Sequence, residues 1–88
     1  MSLEELDLKR VMARAPEERD LIRIIGRCGA IRPENRPIRR ICEGLHRVGV
    51  LALSRGRYSL TSPGRGEYEA LRRAGSMDME RVWEVDDT

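Results

Sequence analysis

A chain of 88 residues holds one domain and has no room for a (β/α) barrel or a doubly wound sheet with a cofactor crevice. Such a domain buries only about 60–65% of the surface its unfolded chain exposes, so its core is small. Apolar residues make up 40% and charged residues 36%, and the aromatics are only Tyr58, Tyr68 and Trp83, too few for a single-strand binder built on stacking platforms. The net charge of +2 hides an asymmetry: residues 36–75 hold nine Arg and three Glu, whereas residues 76–88 hold five acids and Arg81. A polyanion would therefore meet the middle of the chain.

From the N-terminus, Ser2 followed by Glu5 has the spacing of a capping box. Leu8, Val11, Met12 and Ala15 then recur on one face of a helix over about residues 3–14. Pro16 ends that helix and suits the first turn of the next, 17–28, whose N-terminus gains from Glu17, Glu18 and Asp20. Its expected apolar stripe is Leu21, Ile24, Ile25 and Cys28, with Ile22 at the edge, and Gly29 is its C-cap. Residues 29–36 read as a loop punctuated by Pro33. Asn35 is placed to cap a third helix, 36–48, with Ile38, Ile41, Cys42, Leu45 and Val48 buried.

At Gly49 the period changes from helical to alternating. Val50–Ser54 and Arg57–Thr61 flank Arg55-Gly56, which predicts a two-stranded hairpin with Leu51, Leu53, Tyr58 and Leu60 facing inward. Thr61 or Ser62 caps a fourth helix that holds Pro63 in its first turn, turns Tyr68 and Leu71 inward and ends at Gly75. The expected organisation is a domain over residues 1–75 and an acidic tail over 76–88. In that tail, Trp83 with Val82 and Val85 is the one apolar group able to dock, on the domain or on a second copy.

The order helix, helix, helix, hairpin, helix is an α+β arrangement. The run Leu45-His46-Arg47-Val48-Gly49-Val50-Leu51, followed by Gly56-Arg57-Tyr58-Ser59-Leu60-Thr61-Ser62-Pro63-Gly64, resembles winged helix-turn-helix repressors of the MarR and PadR kind. It is also similar to small repressor-like proteins of archaeal viruses. The resemblance covers roughly residues 38–74 and implies a small winged helix-turn-helix of three helices, a β-hairpin wing and a C-terminal helix. The stretch before Gly49 is shorter than in those repressors. Either a core helix is missing between Ile25 and Pro37 or helix 3–14 has become the first core helix; the second is the favoured reading, with helix 17–28 preceding the reading helix.

With the apolar stripe of helix 36–48 turned inward, Arg36, Arg39, Arg40, Glu43, His46 and Arg47 remain on its outside or flank. Arg makes bidentate bonds to guanine in the major groove and also holds phosphates. The expected DNA-binding set is Arg36, Arg39, Arg40 and Arg47 on the reading helix, with Arg55 and Arg57 at the hairpin tip. Double-stranded DNA is the expected partner and a homodimer the expected state, since one helix reads only a few base pairs. The alternative is a winged-helix protein-binding module, such as a small viral inhibitor that binds a host complex through its basic face or acidic tail.

No catalytic constellation, Walker loop or dinucleotide fingerprint occurs, so neither enzyme activity nor a cofactor is expected. Cys28, Cys42 and His46 allow a three-ligand zinc site to be drawn, but no C-x-x-C pair or fourth ligand supports a metal. The two cysteines are expected to be reduced core thiols. No stretch is long and apolar enough to span a membrane, and Met1-Ser2-Leu3-Glu4-Glu5 does not read as a signal peptide, so the expected location is cytoplasmic.

Overall fold

The computed structural model describes the backbone of residues 3–86 and the side chains of residues 5–75. In chain order it contains α1 (Leu3–Met12), α2 (Pro16–Cys28), β1 (Ala30–Ile31), α3 (Arg36–Arg47), β2 (Leu51–Ser54), β3 (Arg57–Leu60) and α4 (Ser62–Asp86). Four helices and a three-stranded antiparallel sheet of order β1-β3-β2 make a small α+β fold. The expected Ser2 cap lies outside the described residues.

Local chemistry sets the boundaries. After α1, the Arg19 guanidinium donates to the carbonyls of Met12 (3.2 Å) and Arg14 (2.8 Å), satisfying acceptors that a helix end leaves orphaned. Glu18 reaches back to accept the Ala15 N–H at 3.0 Å, and Pro16 opens α2. Gly29, at φ 91°, ends α2 with its N–H on the Ile25 carbonyl.

At the end of α3, Gly49 takes φ 84° and donates to His46, while Val50 N–H reaches back to the Leu45 carbonyl at 2.9 Å. This paired closure turns the chain out of the helix and presses Val50 into the core. Thr61 fastens the far end of the hairpin to the same point. Its N–H donates to Val50, its hydroxyl donates to the Gly49 carbonyl (2.6 Å), and its oxygen accepts Gly64 N–H as the cap of α4.

The core joins Val11 of α1, Leu21, Ile22 and Ile25 of α2, Cys42 and Leu45 of α3, Val50, Leu51 and Tyr58 around the hairpin, and Leu71 of α4. Several expected positions are corrected. On α2 the buried arc runs through Ile22, while Ile24 is 48% exposed and Cys28 lies on the surface. The reason is Gly26, where a Cβ would stand 2.2 Å from the Tyr68 ring. With no side chain there, α4 packs against that side of α2 and rotates the buried face by about one residue.

On α1, Leu8, Met12 and Ala15 are exposed, and Val11 is the buried member of the expected stripe. On the side packed against α4, Asp7 lies against Gly66, and just past the end of α1 Arg14 pairs with the buried Glu67. Val48 is 62% exposed because the turn at Gly49 delivers Val50 to the core in its place. Leu53 shares the inward face of the sheet but sits near the hairpin tip and is 48% exposed.

Expected boundaries also change: the helix expected over 3–14 stops at Met12, so Ala13 and Arg14 belong to the connection to α2. The stretch 29–36 is not all loop: Ala30 and Ile31 form β1, paired with Ser59 and Tyr58 of β3. Gly75 does not end the last helix, since α4 runs on to Asp86. The expected docking of Trp83, Val82 and Val85 concerns side chains outside the described residues. No helix among the described residues is long and apolar enough to cross a membrane.

The cysteines differ in exposure, and this is testable. Burial, then the neighbouring Glu43 charge, pushes the Cys42 thiol above its ordinary pKa, which keeps it protonated and unreactive. A disulfide-exchange reagent at pH 8 is expected to titrate one thiol, Cys28, in the folded protein and two in guanidinium chloride. Two rapidly reacting thiols in the folded protein would contradict the burial of Cys42.

Candidate nucleic-acid interface

Helix α3 is built to present one face. Asn35, in extended geometry, accepts the Ile38 N–H at 3.0 Å and fixes the start of the helix, and Pro37 suits its first turn. At about 100° per residue, Ile38, Ile41, Cys42 and Leu45 share the inner face, while Arg36, Arg40, Glu43 and Arg47 point away from it. Arg39 and His46 fall on the flank next to the hairpin. There the His46 ring meets the edge of Tyr58, with centroids 6.2 Å apart and planes at 73°. Tyr58 is buried, and burial, followed by the Glu43 charge, raises its hydroxyl pKa.

The hairpin runs back along α3, with its root at the C-terminal end of the helix and its tip near Arg39. Ser54 and Arg57 close a two-residue turn in which Arg55 and Gly56 both have positive φ, 52° and 78°. That is the backbone sense of a type I′ turn, whose twist matches the strands. Arg55 is the one non-glycine residue with positive φ among the described residues. An L side chain there costs about 1–2 kcal/mol.

A groove between the two elements is lined by Arg32, Pro33, Arg39, Leu53, Gly56 and Tyr58. A second hollow, on the outer face of the sheet, is lined by Ala30, Arg32, Ser54, Arg55, Arg57 and Ser59. No carboxylate lines either one. Among the described residues the ion pairs are Arg14–Glu67, Arg23–Asp20 and Arg72–Glu69, none of them on α3 or the hairpin. Arg36, Arg39, Arg40, Arg47, Arg55 and Arg57 are all exposed.

No family model matches the chain, nor does any curated protein or solved structure.

The expected arginines are therefore only partly brought together. Arg39 shares its groove with the hairpin tip that carries Arg55 and Arg57. Arg36 and Arg40 stand on the outer face of the same half of α3. Arg47 is about 10 Å further along the helix axis than Arg40, near the root of the hairpin. Glu43 is the one acid on that outer face, and it makes no ion pair with Arg39, Arg40 or Arg47.

The drawn zinc site does not form, because Cys28 is on the surface and Cys42 is in the core. Among the described residues no cluster of three His, Cys, Asp or Glu side chains is placed to hold a metal ion. Sequence reasoning missed Arg32. It follows a strand of two residues, too short to show the alternation by which strands are found. The one available signal was the dipeptide Ala30-Ile31 between Gly29 and Pro33.

Proposed function

We propose that the chain is a small winged helix-turn-helix protein that binds double-stranded DNA in a sequence-specific way and regulates transcription as a homodimer. In this reading α3 enters the major groove and the β2–β3 hairpin is the wing. The observation that carries it is the groove between α3 and the hairpin tip, which holds Arg39 and no carboxylate, together with Arg55 and Arg57 on the outer face of the same tip, none of them in an ion pair among the described residues. Repulsion among such cations is relieved when phosphates come between them. The positive φ of Arg55 adds support, because the turn places a cation at its tip where a glycine or asparagine would be less strained.

In this reading Arg36, Arg40 and Arg47, on the outer face of α3, reach base edges, where a bidentate Arg–guanine pair is worth about 1–3 kcal/mol of discrimination. Glu43 can accept from the cytosine amino group. One 12-residue helix covers only a few base pairs, so a two-fold pair of chains is needed for a useful site.

Selection of bound sequences from a random duplex pool tests this reading. Enrichment of an inverted repeat with guanines in each half-site is the expected result. A pool that stays random after several rounds would contradict sequence-specific binding and favour a protein partner for α3. The wing makes a separate expectation: Arg55→Ala with Arg57→Ala should weaken all duplexes alike and make the salt dependence shallower by about one to two units. Unchanged affinity and slope in a filter-binding series would remove the hairpin from the interface.

A further inference from the structure

Arg32 carries a role that neither α3 nor the hairpin tip supplies. It follows β1 directly, and the pairing Ala30↔Ser59, Ile31↔Tyr58 brings it level with Arg57 one step further on. Like charges level with one another on neighbouring strands repel and destabilise the pair. The Arg32 side chain lies against the hairpin turn, with its Nε 3.8 Å from the point a Cβ would occupy at Gly56. It lines both the groove that holds Arg39 and the outer hollow that holds Arg55 and Arg57. It is exposed, and no acid accompanies it in either place.

Arg32 thus joins arginines of α3 and of the hairpin into one continuous basic edge, at a site where the isolated protein gains nothing from the crowding. The apolar floor of the groove, Leu53 with Tyr58, suits the sugar side of a nucleotide chain rather than a free ion. From this geometry we infer that Arg32 is a phosphate-holding residue: it grips the phosphodiester backbone of a duplex strand lying between α3 and the hairpin tip. The inference rests on the DNA-binding reading above and adds to it a residue from a third element. A contact of this kind positions the protein and carries no sequence information.

The test is duplex binding by the full chain over a salt series, with Arg32→Gln and Arg32→Lys beside the unchanged protein. Arg32→Gln is expected to weaken all duplexes alike and to lower the salt slope by about 0.9, the contribution of one phosphate contact. Arg32→Lys is expected to keep most of that slope, since a phosphate needs the charge more than the fork geometry. Melting of both variants no lower than that of the unchanged protein shows that the fold is intact, as expected for an exposed side chain that faces a like charge. If the unchanged protein binds with a steep salt dependence and Arg32→Gln matches it, this inference is overturned while the DNA-binding reading stands. A changed sequence preference with an unaltered slope overturns it too, because it would mark a base contact. If the unchanged protein binds no duplex, both fall.

Discussion

Glu67→Ala should destabilise the domain by about 3 kcal/mol or more, the range for breaking a buried ion pair by removing one partner. Glu67 is 3% exposed, and its carboxylate takes a two-pronged contact from the Arg14 guanidinium, whose second nitrogen lies 3.0 Å from Oε2. That hydrogen bond is the main cause that raises the Arg14 pKa, so the cation persists at any working pH. Removing the carboxylate leaves a half-enclosed guanidinium facing the α1–α4 contact. Replacing both partners, as Arg14→Met with Glu67→Leu, should recover most of the loss, because the apolar pair fills the space without desolvating charge. Urea unfolding of the two single variants and the double variant checks this. A single variant within about half a kcal/mol of the parent would mean that the connection between α1 and α2 is not held to α4 through this pair.

Leu45→Ala is expected to cost about 2–5 kcal/mol, the range for a buried leucine cut back to alanine. Leu45 is fully buried, and its carbonyl receives the Val50 N–H that closes α3. The cavity would open beneath the junction between α3 and the hairpin. For a domain with total stability on the order of 5–15 kcal/mol, that is a large share. A loss below about half a kcal/mol in denaturant melts would place Leu45 outside the core and put the register of α3 in error.

The register of α3 was legible because its signals agree. Asn35, Pro37, the apolar spacing and Gly49 all mark the same 12-residue helix, and the change of period after Gly49 marks the hairpin. The exterior of α3 followed from that register, so its four expected arginines, Arg36, Arg39, Arg40 and Arg47, are found exposed.

What misled was packing between elements. Periodicity alone assigns Ile24 to the core, because nothing local announces that Gly26 will receive the Tyr68 ring. The stripe of α1 misleads for a related reason: Asp7 on the helix and Arg14 just beyond it meet α4, so charged residues occupy a side that hydrophobicity scores as solvent. Gly75 looked like a helix stop, yet α4 passes through it, since an isolated glycine costs only about 1 kcal/mol within a helix. At the candidate site, Arg32 was hidden because long-range pairing with β3 determines its position, and its neighbours in sequence do not.

Binding of the chain to a random-sequence duplex, followed from about 50 to 200 mM salt, tests the central claim most directly. A protein that lays Arg39, Arg55 and Arg57 along a phosphate backbone releases counterions. Its log affinity should then fall linearly with log salt, with a slope of about −3 or steeper, roughly −0.9 for each phosphate neutralised. Absence of binding at the low-salt end, or an affinity that does not change across the series, would contradict the assignment of α3 and the hairpin to DNA.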